Sequence, residues 1–224
     1  MHYYKISLTA LTTFILTISS TAANFSVIFP PSQVLAQTAN NQQAEASRLE
    51  KQGFQEFNNK QIPKARQFWQ QALTLYREIK ERKKESFLLI LIGMTYQVEN
   101  QHQTAINYLE QALPIAQQLP NRHNEMSIFQ LLVMSYSSLK NYDKALEFAQ
   151  QALVSAKTNN NYESEKTWLI NIAEIYEDNL QDYGKAIEYY QQALVRAKAE
   201  NDQKTERNVL VSLSQLYQKM PNPR

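Results

Sequence analysis

The chain has 224 residues, only 3 glycines and 7 prolines, no cysteine, and a formal net charge of +2 at pH 7. The absence of cysteine excludes disulfides, thiolate metal sites and cysteine nucleophiles. Acidic and basic residues are interspersed, so no concentrated basic surface points to a nucleic-acid partner. Alanine, leucine, glutamine, glutamate and lysine dominate the middle and end of the chain, and these helix formers predict an all-α fold.

The N-terminal part has the order of a secretory signal peptide. Lys5 precedes a largely apolar, charge-free stretch at 6–18, which is shorter than a membrane-spanning helix requires, and small residues follow it. Two cleavage points have small residues in the required places, after Ala22 and after Ala36. We favour cleavage after Ala36, because the earlier cut would leave the apolar segment 25–29 on a soluble product.

Residues 1–36 are therefore predicted to be a signal peptide, followed by a polar lead-in at 37–43. The mature protein is expected to be exported across the inner membrane and to be periplasmic or secreted. The alternative is an uncleaved anchor, in which the apolar stretch extends to Phe29 and holds the protein at the membrane. A membrane partner is expected only in that case.

Four ten-residue segments beginning at Lys64, Thr104, Lys144 and Lys185 can be laid over one another. Their first alanines are 40, 40 and 41 residues apart, and a second alanine follows seven residues after each. A tyrosine in the segment that precedes the second, third and fourth recurs at the same spacing, and self-similarity at this period indicates a helical array. The small and aromatic residues at the recurring positions are Gly53, Gly93, Ala65, Ala72, Ala105, Ala112, Ala145, Ala152, Ala186, Ala193, Tyr96, Tyr136, Tyr176 and Tyr217.

The recurring residues have physical roles in such an array. Alanine and glycine are expected where the two helices of a pair cross closely, because a larger side chain would force the helices apart. The tyrosines are expected to fill the space between neighbouring pairs. A single pair cannot bury its apolar face alone, so stacking of the pairs is obligatory.

This pattern resembles the tetratricopeptide repeat, which has a bulky apolar residue, Leu-Gly and Tyr on its first helix and Ala, an aromatic residue and Ala on its second. The resemblance implies an all-α, right-handed α-α superhelix of four helix pairs with a C-terminal capping helix. The repeat is about 40 residues instead of the usual 34, as in the longer bacterial variety. The predicted array covers 44–220, with repeats at about 46–82, 86–121, 126–161 and 166–202, a capping helix at 203–219 and a tail at 221–224.

In this family the first helices line a concave groove in which ligands bind, and the same positions can be transferred to this sequence. They predict a groove that is apolar in its first half and acidic in its last quarter, which favours a protein or peptide segment with apolar anchors and a basic end. The Lys, Asn and Arg clamp that binds acidic tails in some members is absent from these positions. The predicted groove residues are Phe54, Phe57, Phe87, Ile90, Met94, Gln97, Gln130, Met134, Ile170, Glu174, Glu177 and Asp178.

No catalytic residue, cofactor site or metal site is predicted. The sequence has no histidine pair at metal-binding spacing, no phosphate-binding glycine loop and no nucleophile elbow. For the acidic cluster of Glu174, Glu177 and Asp178 we favour a solvated helix face over a cation-binding site. The predicted function is a non-catalytic, exported scaffold for protein–protein interaction. The alternatives are a self-associating structural protein and a regulatory subunit of a separately encoded enzyme.

Overall fold

Helix-forming segments separated by short turns dictate an all-helical architecture, and the computed structural model describes residues 31–119 and 122–219 of it. These residues form nine helices and no strand, so the predicted all-α repeat fold with four helix pairs and a final helix is confirmed. The helices are α1 Pro31–Asn58, α2 Ile62–Glu78, α3 Arg82–Val98, α4 His102–Gln118, α5 Arg122–Ser138, α6 Tyr142–Thr158, α7 Tyr162–Glu174 with a π-helical turn Ile175–Asn179, α8 Tyr183–Ala199 and α9 Gln203–Lys219.

The first helix is longer than the others and includes the predicted lead-in at 37–43. It has 28 residues, whereas α2 to α6 have 17 each. Gln42 on this helix reaches α2, where its Nε2 donates to Glu78 Oε2 at 2.7 Å, and Ala46 is fully buried. Most of the predicted signal peptide (1–30) and the tail (221–224) lie outside the described residues. No helix in the described part is long and apolar enough to cross a membrane.

The paired helices approach closely along their small residues. All eight recurring alanines, two on each of the four second helices, have 0% exposure. A Cβ built on Gly93 would lie 3.1 Å from Leu109 Cγ, tighter than ordinary van der Waals contact. A bulkier residue at these positions would force the helices apart, so the small residues set the distance between the two helices of a pair.

Each internal first-helix tyrosine stacks on an aromatic ring of its own second helix. The ring of Tyr136 lies 5.5 Å from that of Phe148, and its hydroxyl donates to Glu110 Oε1 of the preceding pair at 2.7 Å. The side chain thereby joins two pairs. Tyr217 on α9 has no second helix after it in the described residues, and it is exposed. The other stacks are Tyr96 on Tyr108 at 5.5 Å and Tyr176 on Tyr189 at 5.7 Å.

The fourth repeat takes up its extra residue as a π-helical turn. The carbonyl oxygen of Tyr96 accepts from the amide of Gln101, five residues later, whereas that of Tyr176 accepts from the amide of Asp182, six residues later, at 2.9 Å. The sequence predicts the extra residue in or near the turn after this helix, and the structure places it just before that turn, at Ile175–Asn179. The columns of buried residues on either side therefore keep their register.

A buried lysine connects the fourth repeat to α9. Lys166 Nζ lies 2.7 Å from Asp202 Oδ2 and 2.8 Å from Glu200 Oε2. Burial disfavours the charged amine, but the hydrogen bonds to Asp202, Glu200 and Glu163 outweigh it and raise the pKa of Lys166. The pKa of Asp202 is held low by Lys166 and by Thr205, whose amide it caps at the start of α9. The last helix is thus fixed by a charged network that the sequence pattern does not reveal.

The turns contain residues in the left-handed backbone region, and none of them is glycine. An L-residue with a side chain is strained there by about 1–2 kcal/mol, and asparagine tolerates the conformation better than most residues. Each such residue follows a helix end, and except at Gln181 its amide bonds back to a helix carbonyl, as Lys140 does to Ser137 at 2.9 Å. With φ values between 51° and 61°, these residues are Lys60, Lys80, Asn100, Lys140, Asn160, Gln181 and Asn201.

We expect Lys140→Gly to raise the free energy of unfolding by about 0.5–1 kcal/mol, because glycine adopts this conformation without steric strain. Asn100→Gly is the matched control, since Asn100 has nearly the same φ (59° against 58°) but a side chain better suited to it. Urea unfolding of both variants and the wild type measures the difference. An equal change in the two variants would contradict this account of the turns.

Candidate functional site

The structure separates the twelve predicted groove residues by exposure. The accessible residues of this set lie along the successive first helices α1, α3, α5 and α7, and the surface they form is called the row. Phe57, Met94 and Met134 are between 42% and 48% exposed, so the row offers large apolar side chains to solvent. Exposed apolar surface of this kind, when it is contiguous, marks interaction sites. Of the other predicted residues, the exposed ones are Gln130, Glu174 and Asp178, and the partly buried ones are Phe54, Phe87, Ile170 and Glu177.

Ile90 and Gln97 do not line an accessible surface, which corrects their place in the predicted set. Both are buried. Gln97 Nε2 donates to the carbonyl oxygen of Leu131 at 3.3 Å and to Ser135 Oγ at 3.2 Å, both on the next first helix. Its amide therefore closes the junction between the second and third repeats. Its burial depends on the neighbouring helix, which residue type alone does not indicate.

The junction between the first and second repeats is different, because it contains an apolar cavity of about 290 Å³. Residues from three helices surround it: the end of α1, the start and middle of α2, and the second half of α3. Val98, at 74% exposure, lies at the solvent side of this group. The lining residues are Phe54, Phe57, Asn58, Ile62, Trp69, Leu91, Met94, Thr95 and Val98.

Trp69 forms the inner wall of this cavity. Its Nε1 donates to the carbonyl oxygen of Glu50 at 3.3 Å, and its ring lies 5.3 Å from Phe54 in an edge-to-face arrangement and 5.7 Å from Phe57. The indole lies so close to α1 that a Cβ on Gly53 would overlap it. Gly53 is thus the residue that allows the tryptophan to form the wall.

The sequence reading missed the part of the wall that comes from the second helix. Ile62 and Trp69 belong to α2, and the family resemblance directs attention to first helices only. A signal was present, since the equivalent residues in the later repeats are Leu109, Ala149 and Tyr190, and of the two aromatic residues only Trp69 has a glycine, Gly53, in the first-helix column of its repeat. A bulky aromatic residue combined with a glycine in one repeat indicates a local departure from the common packing.

The acidic end of the row has two carboxylates without a bonding partner among the described residues, Glu174 and Asp178. Glu177 differs, because it accepts from the Tyr190 hydroxyl at 3.2 Å and from Lys219 Nζ at 2.8 Å. Desolvation, with the nearby charges of Asp178 and Glu177, raises the pKa of Glu174 above its usual value. Of the three carboxylates in the predicted cluster, Glu174 and Asp178 are therefore available to a ligand, whereas Glu177 is already paired with Lys219.

Between the two ends the row is neutral. The Asn171 amide donates to Gln130 Oε1 at 3.3 Å, which links α5 and α7, and Met134 is exposed beside them on α5. Among the described residues, no group of three His, Asp or Glu side chains could hold a metal ion. The arrangement can offer an apolar cavity, a neutral middle and two carboxylates to one extended ligand.

Two family models described as tetratricopeptide repeat match the sequence, one at residues 44–118 and 84–158 and the other at 168–204. No curated protein sequence is similar enough to count as a relative. The matches cover both ends of the row described above.

Solved structures share the fold at low sequence identity. The apo form of RapI superimposes with a TM-score of 0.66 at 19% identity, over 78% of this chain and 64% of RapI. Aspartyl phosphate phosphatase F from Bacillus subtilis gives a TM-score of 0.63 at 18% identity, over 82% and 48%. The chain thus spans less than two thirds of the length of either protein. The Rap conjugation gene regulator of plasmid pLS20 in complex with the Phr* peptide gives 0.52 at 17% identity, over 97% and 60%.

We expect Gly53→Ala to lower the free energy of unfolding by about 1–3 kcal/mol, because the new methyl group displaces the Trp69 indole. Gly93→Ala is the matched control and should cost less, because its methyl group meets Leu109 at 3.1 Å and alanine favours the helix. Urea unfolding and tryptophan emission measure both effects. Equal destabilisation, with unchanged emission from Gly53→Ala, would show that Trp69 does not depend on Gly53.

Proposed function

Because the chain belongs to the tetratricopeptide repeat family, we propose that it is a non-catalytic adaptor that holds a segment of another protein along its first helices. The observation that carries this proposal is the row itself, which presents exposed apolar side chains at one end and two exposed carboxylates at the other. A repeat array of this kind supplies an extended binding surface. The pLS20 regulator, whose fold is similar, was solved in complex with a peptide.

The chemistry of the row favours a segment with apolar side chains followed by a basic end. Burial of the exposed parts of Phe57, Met94 and Met134 would supply the hydrophobic contribution, and the flexible methionines allow different side chains to fit. A lysine or arginine would pair with Glu174 and Asp178, which are exposed and form no salt bridge within 31–119 and 122–219. The two ends therefore favour one direction of the bound segment.

The raised pKa of Glu174 gives this pairing a pH dependence. A cation beside Glu174 stabilises the ionised carboxylate, so binding of a basic segment requires the proton to be absent. As the pH falls, Glu174 gains its proton before an ordinary glutamate does, and the attraction weakens. Added salt weakens the pairing too, because both carboxylates are exposed.

We expect the double variant Glu174→Gln, Asp178→Asn to bind partner proteins about three- to tenfold more weakly, because two exposed ion pairs are lost. Glu188→Gln is the control for a charge change on a second helix, since Glu188 is exposed on α8. Capture from the compartment that holds the protein, quantified at several salt concentrations and pH values, measures the effect. Equal capture by the double variant and the wild type would refute the proposed use of this groove.

We also propose that the protein is exported and that residues 1–36 are removed. The support is the order of charge, apolar stretch and small residues in the sequence. N-terminal sequencing of the protein recovered from cells should then begin at Gln37. A chain that begins at Met1 in the membrane fraction would instead support the uncleaved anchor, and one that begins at Ala23 would support the earlier cleavage point.

A further inference from the structure

We infer that the cavity between the first and second repeats is the anchor site for one aromatic side chain of the bound segment. This inference deepens the proposed function and rests on it. It assigns the apolar end of the ligand to one place, and it names a chemical class, a phenyl or indole ring, for the residue that binds there.

The wall of the cavity favours an aromatic ring. Phe54, Phe57 and Trp69 contribute three rings, and the two phenyl rings lie 5.3 and 5.7 Å from the indole ring. Aromatic pairs in such arrangements are more favourable than the buried area alone accounts for. Met94 also lines the cavity, and a thioether makes favourable contacts with an aromatic ring.

The size of the cavity is consistent with a ring and not with a short side chain. A cavity of about 150 Å³ is sufficient for benzene, and this one measures about 290 Å³. An alanine or serine side chain would leave most of it empty. Asn58 contributes an exposed polar side chain to the lining, where an indole N–H or a tyrosine hydroxyl of the ligand would find a partner.

The corresponding positions in other repeats explain why the anchor belongs to this junction. Phe57 is followed at the same position by Gln97, Ser137 and Glu177. Gln97 bonds across to the third repeat, and Glu177 bonds to Tyr190 and Lys219, so polar contacts occupy those two positions. At the first junction a phenyl ring takes the place of the polar group, and the apolar cavity lies beside it.

Charge complementarity identifies the rest of the occupant. The cavity borders α3, and Glu174 and Asp178 lie at the end of α7, two first helices further along. Packed helices are about 8–10 Å apart, so two steps span roughly 16–20 Å, or about five to six residues of extended chain. The occupant is therefore a segment of another protein with an aromatic residue, a neutral spacer and one or two basic residues.

The test uses the full chain and two synthetic probe peptides. The first is acetyl-Phe-Ser-Gly-Ser-Gly-Ser-Gly-Lys-Lys-amide, and the second has alanine in place of phenylalanine. Calorimetric titration gives the affinity of each for the wild type. Because the chain has 2 tryptophans, Trp168→Phe leaves Trp69 as its sole indole, and a shift in its emission reports whether the probe reaches the cavity.

The matched protein variants are Val98→Glu and Val154→Glu. Both valines are well exposed, at 74% and 63%, so neither change should disturb folding, and circular dichroism checks this. Val98 lines the cavity, whereas Val154 lies on the second helix α6, away from it. We expect the phenylalanine peptide to bind about tenfold more tightly than the alanine peptide, and Val98→Glu alone to remove this advantage.

Two results would overturn the anchor site: equal affinity of the two peptides for the wild type, including no binding of either, or equal behaviour of Val98→Glu and Val154→Glu. A failure of the anchor site can be distinguished from a failure of the proposed groove function. If the groove function is correct and the anchor is wrong, the Glu174→Gln, Asp178→Asn variant still captures less partner protein. If that variant captures as much as the wild type, the groove function itself is wrong.

Discussion

The close crossing of the two helices in each pair is the constraint on which the rest of the molecule depends. The alanines at the crossings are fully buried, and they let each second helix lie against its first helix with no room for a larger side chain. Because the crossings are alike, the pairs stack in one register and the first helices form one row. The chemistry of that row can then differ from repeat to repeat without loss of the stack, because stacking uses the alanines and tyrosines and the row uses other positions.

The position after each first-helix tyrosine shows how the chemistry of the row differs from repeat to repeat. Gln97 closes one junction with two hydrogen bonds to α5, and Glu177 closes another through Tyr190 and Lys219. In the first repeat the equivalent side chain is Phe57, whose ring faces Trp69 beside an apolar cavity. The same position thus carries a polar side chain that closes the junction in two repeats and a phenyl ring beside an apolar cavity in one. Differences of this kind give the two ends of the row different chemistry although the backbone repeats.

The parts of the structure that follow from local periodicity could be predicted from the sequence, as the helix pairs and the final helix were. The alanine positions recur in all four repeats, and in each repeat the close crossing of the two helices requires a small side chain there. Properties that depend on a neighbouring helix could not be predicted in this way. Gln97 looks like a surface position in its own helix but is buried and bonds to the next first helix, and Lys166 meets Asp202 from 36 residues away. Ile90 is buried as well. The cavity was missed because Trp69 lies on a second helix, outside the surface that the family resemblance emphasises.

The π-helical turn at Ile175–Asn179 has a consequence for how this array tolerates changes in length. One additional residue in a regular helix rotates everything after it in that helix by about 100°, which would change the direction in which the chain leaves α7 for α8. Here the rotation is confined to five residues, and Ala186 and Ala193 remain fully buried. The insertion at the end of this first helix is therefore a local event, and the alanines of α8 keep their places. Such sites allow the exposed end of one first helix to be reshaped during evolution while the number and alignment of the repeats stay the same.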